Sequence, residues 1–260
     1  VCLILFSFKS HGGYPLVVAA NRDEWFRRPA APATFWPDAP QLLAGRDLSH
    51  GGTWLGVTRS GRFAALTNYR EPQRFDPLAP SRGALVSDFL RGGAGAPEYT
   101  DRLQRTTAHF NGYSLIAWDG VDLCYVSNRA PAAQRLVPGV YGLSNHLLNT
   151  PWPKVTRGIA RLTALSPRHD PAPELFDLLY DRVTADQSSL PDTGLGPERE
   201  RALSASHILL GPADDWTAIY GTRCATVLTI DDRNVLSFEE RTFDHTARIE
   251  AISAESFRLV

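Results

Sequence analysis

The sequence of 260 residues has no methionine, and cysteine is scarce: Cys2, Cys124 and Cys224. An odd count at wide spacing makes no disulfide framework, and the lack of any CxxC pair removes the commonest structural zinc site. This usage predicts a reducing, cytoplasmic compartment. An excess of either charge is also missing. With 27 Lys and Arg against 28 Asp and Glu, the formal charge is -1, which leaves no electrostatic drive towards nucleic acid or anionic membranes. No apolar run reaches the length of a membrane span. The opening VCLILFSF lacks the basic leader and the small-residue cleavage site of a signal peptide. A P-loop, a GxGxxG after a strand, a GxSxG and a CxxCH are all absent. The histidines (His11, His50, His109, His146, His169, His207 and His245) show no ligand spacing. Neither a metal nor a cofactor is expected.

What is present is enough for one large core. Hydrophobic residues make up 43% and charged residues 21%, a globular balance. No internal repeat or change of composition marks a second domain, so residues 1–260 read as one unit. The run Cys2 to Phe8 predicts a buried strand, His11-Gly12-Gly13 a turn, and Leu16 to Asp23 a second strand. Paired as a hairpin, they set position 2 opposite roughly position 22 and bring Cys2 beside Asn21, Arg22 and Asp23. A slip of one residue would change which side chains share its face. Further hairpins are predicted from Thr53 to Thr58 with Arg62 to Asn68, and from Tyr113 to Trp118 with Asp122 to Ser127. Gly139 to Asn145, Ser206 to Leu210, Arg223 to Ile230 and Val235 to Phe243 read as strands. Helices are expected around Ala84 to Leu90, Glu98 to Phe110, Pro153 to Leu165 and Pro173 to Val183. The Pro- and Arg-rich stretch Glu71 to Arg82 and the polar stretch Gln187 to Glu200 read as irregular, the latter as an exposed loop. Hairpin blocks alternating with helix pairs predict an α+β layered architecture of mainly antiparallel sheets.

Cys2 is the residue with chemistry to offer. A cysteine in an apolar strand is usually a small core residue; its position changes the reading. A valine-type start codon would account for Val1 in a chain without methionine, and removal of the initiator would then expose Cys2. A free Cys2 carries a thiol and an α-amine that titrates near neutrality, a nucleophile and a general base on one residue. Asn21-Arg22-Asp23-Glu24 follows the second apolar run directly. As a solvated strand end it needs only salt bridges; beside Cys2, the Arg22 guanidinium favours thiolate and the Asp23 carboxylate can hold the α-amine. Asn68 and Asn145 end predicted strands, either as turn residues or as amide donors to an oxyanion. Arg223 opens a buried strand.

The motifs CLILF, AANRDEWFRRP, GGTWLG, AALTNYR, GLSN, TPWPK and YGTR occur in this order from Cys2 to about Phe243. In them the chain resembles the NRDE, or transport-and-Golgi-organisation, family. That family is in turn similar to the cysteine N-terminal-nucleophile (Ntn) hydrolases, among them bile-salt hydrolases and penicillin V acylase. The resemblance implies a four-layer αββα sandwich. It also implies a site in which Cys2 attacks an amide carbonyl, with Arg22, Asp23, Asn68, Asn145 and Arg223 in support. Asn21, Glu24, Trp54 and Tyr69 are the positions in the same motifs expected to meet substrate. In the hydrolases the Arg precedes the Asn and Asp, whereas here Asn21 precedes Arg22 and Asp23. An Ntn enzyme would take a small amide, ester or thioester. Family links to haem trafficking and to lipid or acyl-coenzyme A metabolism imply the alternative of a carrier for haem or an acyl compound.

Overall fold

A computed structural model describes residues 2–106, 110–165, 170–212 and 214–260. Val1, His109 and His169 lie outside the described residues, as do residues 107–109 of the helix expected to run to Phe110. Two seven-stranded antiparallel sheets carry the chain. The first contains β1 (Leu3–His11), β2 (Tyr14–Trp25), β10 (Gly139–Leu143), β11 (Leu209–Leu210), β12 (Tyr220–Ile230), β13 (Val235–Phe243) and β14 (Ile249–Arg258). Its order is β10-β1-β2-β12-β13-β14, and β11 pairs with β12. The second runs in sequence order through β3 (Ala30–Trp36), β4 (Ala39–Asp47), β5 (Leu55–Thr58), β6 (Phe63–Asn68), β7 (Tyr113–Trp118), β8 (Leu123–Ser127) and β9 (Gln134–Arg135). The helices are α1 (Gly83–Arg91), α2 (Ala96–Arg105), α3 (Pro153–Ala164), α4 (Ala172–Leu179) and α5 (Pro197–Ala202).

Side-chain alternation explains how the sheets and helices pack. Along β1, Ile4, Phe6 and Phe8 enter one apolar cluster, while Leu3 and Leu5 enter another. Along β2, Leu16, Val18 and Ala20 join the first cluster, and Val17 and Ala19 the second. The first cluster also holds Leu55, Val57, Phe63, Ala65 and Ile116 from the opposite sheet, so it is the core between the sheets. The second is closed by Val155 and Leu162 of α3 and by Leu175, Leu178 and Leu179 of α4. On the far side of the other sheet, Ala64, Leu66 and Leu115 meet Val86, Phe89 and Leu90 of α1 and Leu103 of α2. Strands buried on both faces read as continuous apolar runs, as CLILF and LVVAA do. Each fully buried large apolar side chain contributes about 2 kcal/mol.

Strands β3, β4 and β14 and helix α5 differ from the sequence reading. Strands β3 and β4 occupy a Pro-punctuated stretch whose composition argues against strands. Strand β3 lies at the sheet edge, where proline is tolerated; β4 is paired on both sides, and its Pro40 precedes residues 42–44, which pair with β5. Strand β14 closes the other sheet, with an exposed face carrying Ile249 and Ile252 and no apolar alternation to announce it. Helix α5 rises inside the stretch expected to be an exposed loop, and its Glu200 is buried against Arg70 at 2.5 Å. Among the described residues no helix is long and apolar enough to cross a membrane.

Candidate active-site cleft

Strand β1 pairs with β2 in the register Leu3 to Asn21, and one step further along this register Cys2 comes against Arg22. The alternation that sorts the two cores then sorts the polar residues. Arg22 follows Val18 and Ala20 onto the inter-sheet face. Asn21 and Asp23 follow Val17 and Ala19 towards α3 and α4. Asn21 is fully buried there, its Nδ2 donating to Leu179 O (2.8 Å) and Ser206 O (2.9 Å). It does not line the cleft, so its expected role in meeting substrate is corrected: its amide ties β2 to the end of α4.

The inter-sheet space opens beside Cys2 into a cleft of about 500 Å³. Cys2, Arg22, Asp23, Glu24, Trp54, Asn68 and Arg223 line it, together with Arg82 and Glu240. Asn145 and Tyr69 do not. They line an adjoining hollow of about 380 Å³ that shares Asn68 and Arg82 with the cleft. Arg223 reaches the cleft through a bulge. The β12–β2 register shifts between Thr222 and Cys224, and the extra residue is turned off the ladder. Its Nη1 donates to the carbonyls of Trp25 (3.2 Å), Phe26 (3.2 Å) and Arg28 (3.0 Å), which fixes the chain as it leaves β2.

The two sheets are sewn together at this end. Ser144 Oγ donates to Cys2 O (2.9 Å), and Thr67 Oγ1 donates to Ser144 O. Asn145 Nδ2 donates to Asn68 O (2.9 Å), and Asn145 O accepts from Arg70 N (2.8 Å). Tyr69 Oη and His146 Nε2 share a hydrogen bond of 2.5 Å. The motifs LTNYR and GLSNH, far apart in sequence, are thus one hydrogen-bonded unit beside Cys2.

Cys2 is 9% exposed, and burial pushes its thiol above the ordinary value. The negative charge of Asp23 acts in the same sense, while the Asp23 backbone N–H directed at the sulfur and the nearby Arg22 oppose it. Asp23 is 3% exposed; burial raises its carboxyl, and a hydrogen bond from Thr222 Oγ1 (2.7 Å) and the cation Lys154 pull it back. Glu24 lies between Arg22 (3.8 Å) and Arg28 (3.9 Å), and Arg28 also pairs with Asp47 (2.7 Å). Burial brings Arg82 down to about 10, and its Nη1 donates to Gly112 O (3.0 Å). Glu240 accepts from Ala33 N (2.8 Å) and Thr226 Oγ1 (3.2 Å), linking β13 of one sheet to β3 of the other.

Sequence reasoning passed over Arg82, Glu240 and Lys154. Arg82 sits in the irregular Pro-rich stretch, where no periodicity assigns it a face. Glu240 is one of two adjacent glutamates in a strand, and only its pairing register separates the buried one from its neighbour. Lys154 ends the motif TPWPK, which was a signal without a structural address. Among the described residues no group of three or more His, Cys, Asp or Glu could hold a metal ion.

This chain is similar to known proteins over nearly its full length. It is 35% identical to the human Transport and Golgi organization protein 2 homolog over 257 residues, covering 93% of each chain. The Drosophila melanogaster Transport and Golgi organization protein 2 is 28% identical over 271 residues, covering 93% of this chain and 92% of its own. Among solved structures, the Caenorhabditis elegans ortholog of N-acylethanolamine-hydrolyzing acid amidase aligns over 69% of this chain and 86% of its own, with a TM-score of 0.46 and 14% identity. A mutant of the conjugated bile acid hydrolase from Clostridium perfringens aligns over 99% and 92%, with a TM-score of 0.43 and 9% identity. The profile of the Transport and Golgi organisation 2 family matches residues 1–245, and the chain belongs to that family.

Proposed function

We propose that this protein is a cysteine Ntn hydrolase or acyl-transfer enzyme of four-layer αββα architecture, acting on a small amide, ester or thioester. The observation that carries this reading is the setting of Cys2. Its thiol opens onto the cleft at the end of the inter-sheet core, against the Asp23 backbone N–H and near Arg22, and Asn68 lines the same cleft.

Burial keeps the thiol protonated at neutral pH, so attack needs a base. With Cys2 as first residue, its α-amine takes the thiol proton. The thiolate sulfur bonds to the carbonyl carbon, and the carbonyl π pair moves onto oxygen. The Asn68 amide at the cleft wall donates to that oxyanion. When the tetrahedral intermediate collapses, the bond to the leaving nitrogen, oxygen or sulfur breaks, and the α-ammonium returns the proton to the leaving group. Water, or a second nucleophile in the transfer reaction, then releases the acyl group by the same route in reverse. Asp23 orients the amine, and Arg22 favours the thiolate. Asn145 acts through Asn68, whose carbonyl it holds, and Arg223 fixes the cleft wall. Glu24 and Trp54 meet substrate in the cleft, and Tyr69 meets whatever extends into the adjoining hollow.

The test combines intact mass with a panel of p-nitrophenyl acyl esters, N-acyl amides and acyl thioesters. The active protein is expected to have a mass beginning at Cys2 and to form an acyl adduct on the Cys2 peptide. Cys2→Ala, folded by circular dichroism, is expected to lose about 10³-fold or more of the turnover. Turnover retained in that variant ends the reading. Saturable, stoichiometric haem binding without any acyl adduct favours a carrier instead.

A further inference from the structure

The chain carries 25 arginines and only two lysines, Lys9 and Lys154. Lys9 is exposed, but Lys154 is 1% exposed and among the largest fully buried side chains of the protein. Its Nζ has no hydrogen-bond partner among the described residues. It is the second residue of α3, in the first helical turn, where the macrodipole disfavours a cation. Burial, lack of a partner and the wrong helix end all oppose an ammonium at this point. An apolar side chain would be expected here unless the charge has a use.

The groups that act on Lys154 are few. Asp23, whose side chain the β2 alternation turns towards α3 and α4, and Cys2, just before β1, favour the charged amine. Arg70, beyond β6, and Arg157, on α3 itself, oppose it. Arg70 carries its own carboxylate, Glu200 of α5 (2.5 Å), and Arg157 carries Asp181, just past α4 (3.6 Å). Glu174 and Asp177 of α4 face solvent near Arg161, further along α3, and Tyr141 of β10 donates its hydroxyl to Val137 O. With those two pairs internally balanced, Asp23 is the anion on this side of β2 that favours the ammonium most strongly. Desolvation nevertheless brings the amine down to about 8.

We propose that Lys154 is a positioning residue for Cys2: its buried ammonium is a counter-charge that helps keep ionised the Asp23 carboxylate beside Cys2. Lys154 is not among the residues that line the cleft, so it acts on Asp23 without touching substrate. This inference rests on Cys2 as the nucleophile, but its tests read ionisation and not turnover. Loss of either reading therefore leaves the other measurable.

Two lysines make the titration direct. Protein labelled with ¹³C at lysine Cε shows two resonances to follow with pH. Lys9 is expected to titrate near the ordinary value of about 10.4, and Lys154 near 8. In Asp23→Asn the Lys154 midpoint is expected to fall by about one unit or more, since an opposite charge has been removed. In Lys154→Met the pH midpoint of the Asp23 carboxyl, followed by ¹³Cγ labelling of aspartate and assigned by its loss in Asp23→Asn, is expected to rise. Lys154→Arg is expected to return it towards the wild-type value. An unmoved Lys154 midpoint in Asp23→Asn, or an unmoved Asp23 midpoint in folded Lys154→Met, overturns the proposal. Should neither variant fold, the wild-type spectrum decides: a Lys154 resonance titrating together with Lys9 overturns it.

Discussion

His207 shows how a single buried side chain can set a pH limit. It is 4% exposed, lies edge-on to Phe243 (4.9 Å) and Tyr180 (6.0 Å), and neither ring nitrogen has a hydrogen-bond partner among the described residues. Burial brings it down to about 4, against an ordinary value of about 6.5. The fold therefore binds fewer protons than the unfolded chain between these two values. The associated stability is complete above pH 6.5 and is lost as pH falls towards 4, by on the order of 2 kcal/mol after allowing for partial screening. His207→Leu, which suits the aromatic surroundings, is expected to flatten the decline in denaturation midpoint between pH 6.5 and 4. An unchanged acid slope in that variant would place the effect elsewhere. The same scale separates Asn21 from Arg22. They are adjacent in sequence, yet one is sealed behind the sheet and the other lines the cleft, because strand neighbours point to opposite faces.

At the scale of elements, the cleft depends on close backbone approaches. Gly52, in the motif GGTWLG, lies so near the start of α1 that a Cβ there would stand 2.6 Å from Gly83 C and 2.8 Å from Gly83 O. Neither atom can swing aside as a side-chain tip can. Arg82 immediately precedes α1 and Trp54 follows Gly52 by two residues, and both line the cleft. Gly52→Ala is expected to destabilise the protein by about 1–3 kcal/mol, the usual cost of overpacking, and to displace Arg82. Denaturant titration gives the first effect and a crystal structure of the variant the second; unaltered stability in Gly52→Ala would show that the backbone gives way there without cost. Strands β1, β2, β5, β6, β7, β8, β12 and β13 were legible as apolar runs between turn signals. Strands β3, β4 and β14 were not. Strands β3 and β14 are edge strands, which pair on one side only and tolerate proline and exposed side chains, so their sequences carry little pattern; β4 is paired on both sides, but its opening Ala39-Pro40-Gln41 breaks the apolar run.

The whole molecule is bound by shared cores. The inter-sheet cluster takes residues from β1 and β2 near the start of the chain, β5 to β8 in its middle, and β12 and β13 towards its end. Glu240 and the Thr67–Ser144 and Asn145–Asn68 bonds cross between the sheets as well. The core between the sheets is thus shared by distant portions of the chain, while the cluster under α1 and α2 lies within residues 36–126 and loses its inter-sheet support when the rest unfolds. Unfolding by denaturant is therefore expected as one cooperative transition, with far-ultraviolet circular dichroism and tryptophan fluorescence coinciding. Two separated transitions would count against a single domain over residues 1–260.

By itself the sequence determined the apolar strands, the β1–β2 hairpin that brings position 2 to position 22, and the family, because these follow from local apolar patterning and from motifs contiguous in the chain. Only the tertiary structure decided which polar residues meet. Asn68 joins Asn145 across 77 positions in the chain, Arg223 is turned into the cleft by a bulge, and Lys154 is buried behind Asp23. Each of these depends on how two sheets and their helices are laid over one another, and packing of that kind joins residues whose separation along the chain carries no periodic signal.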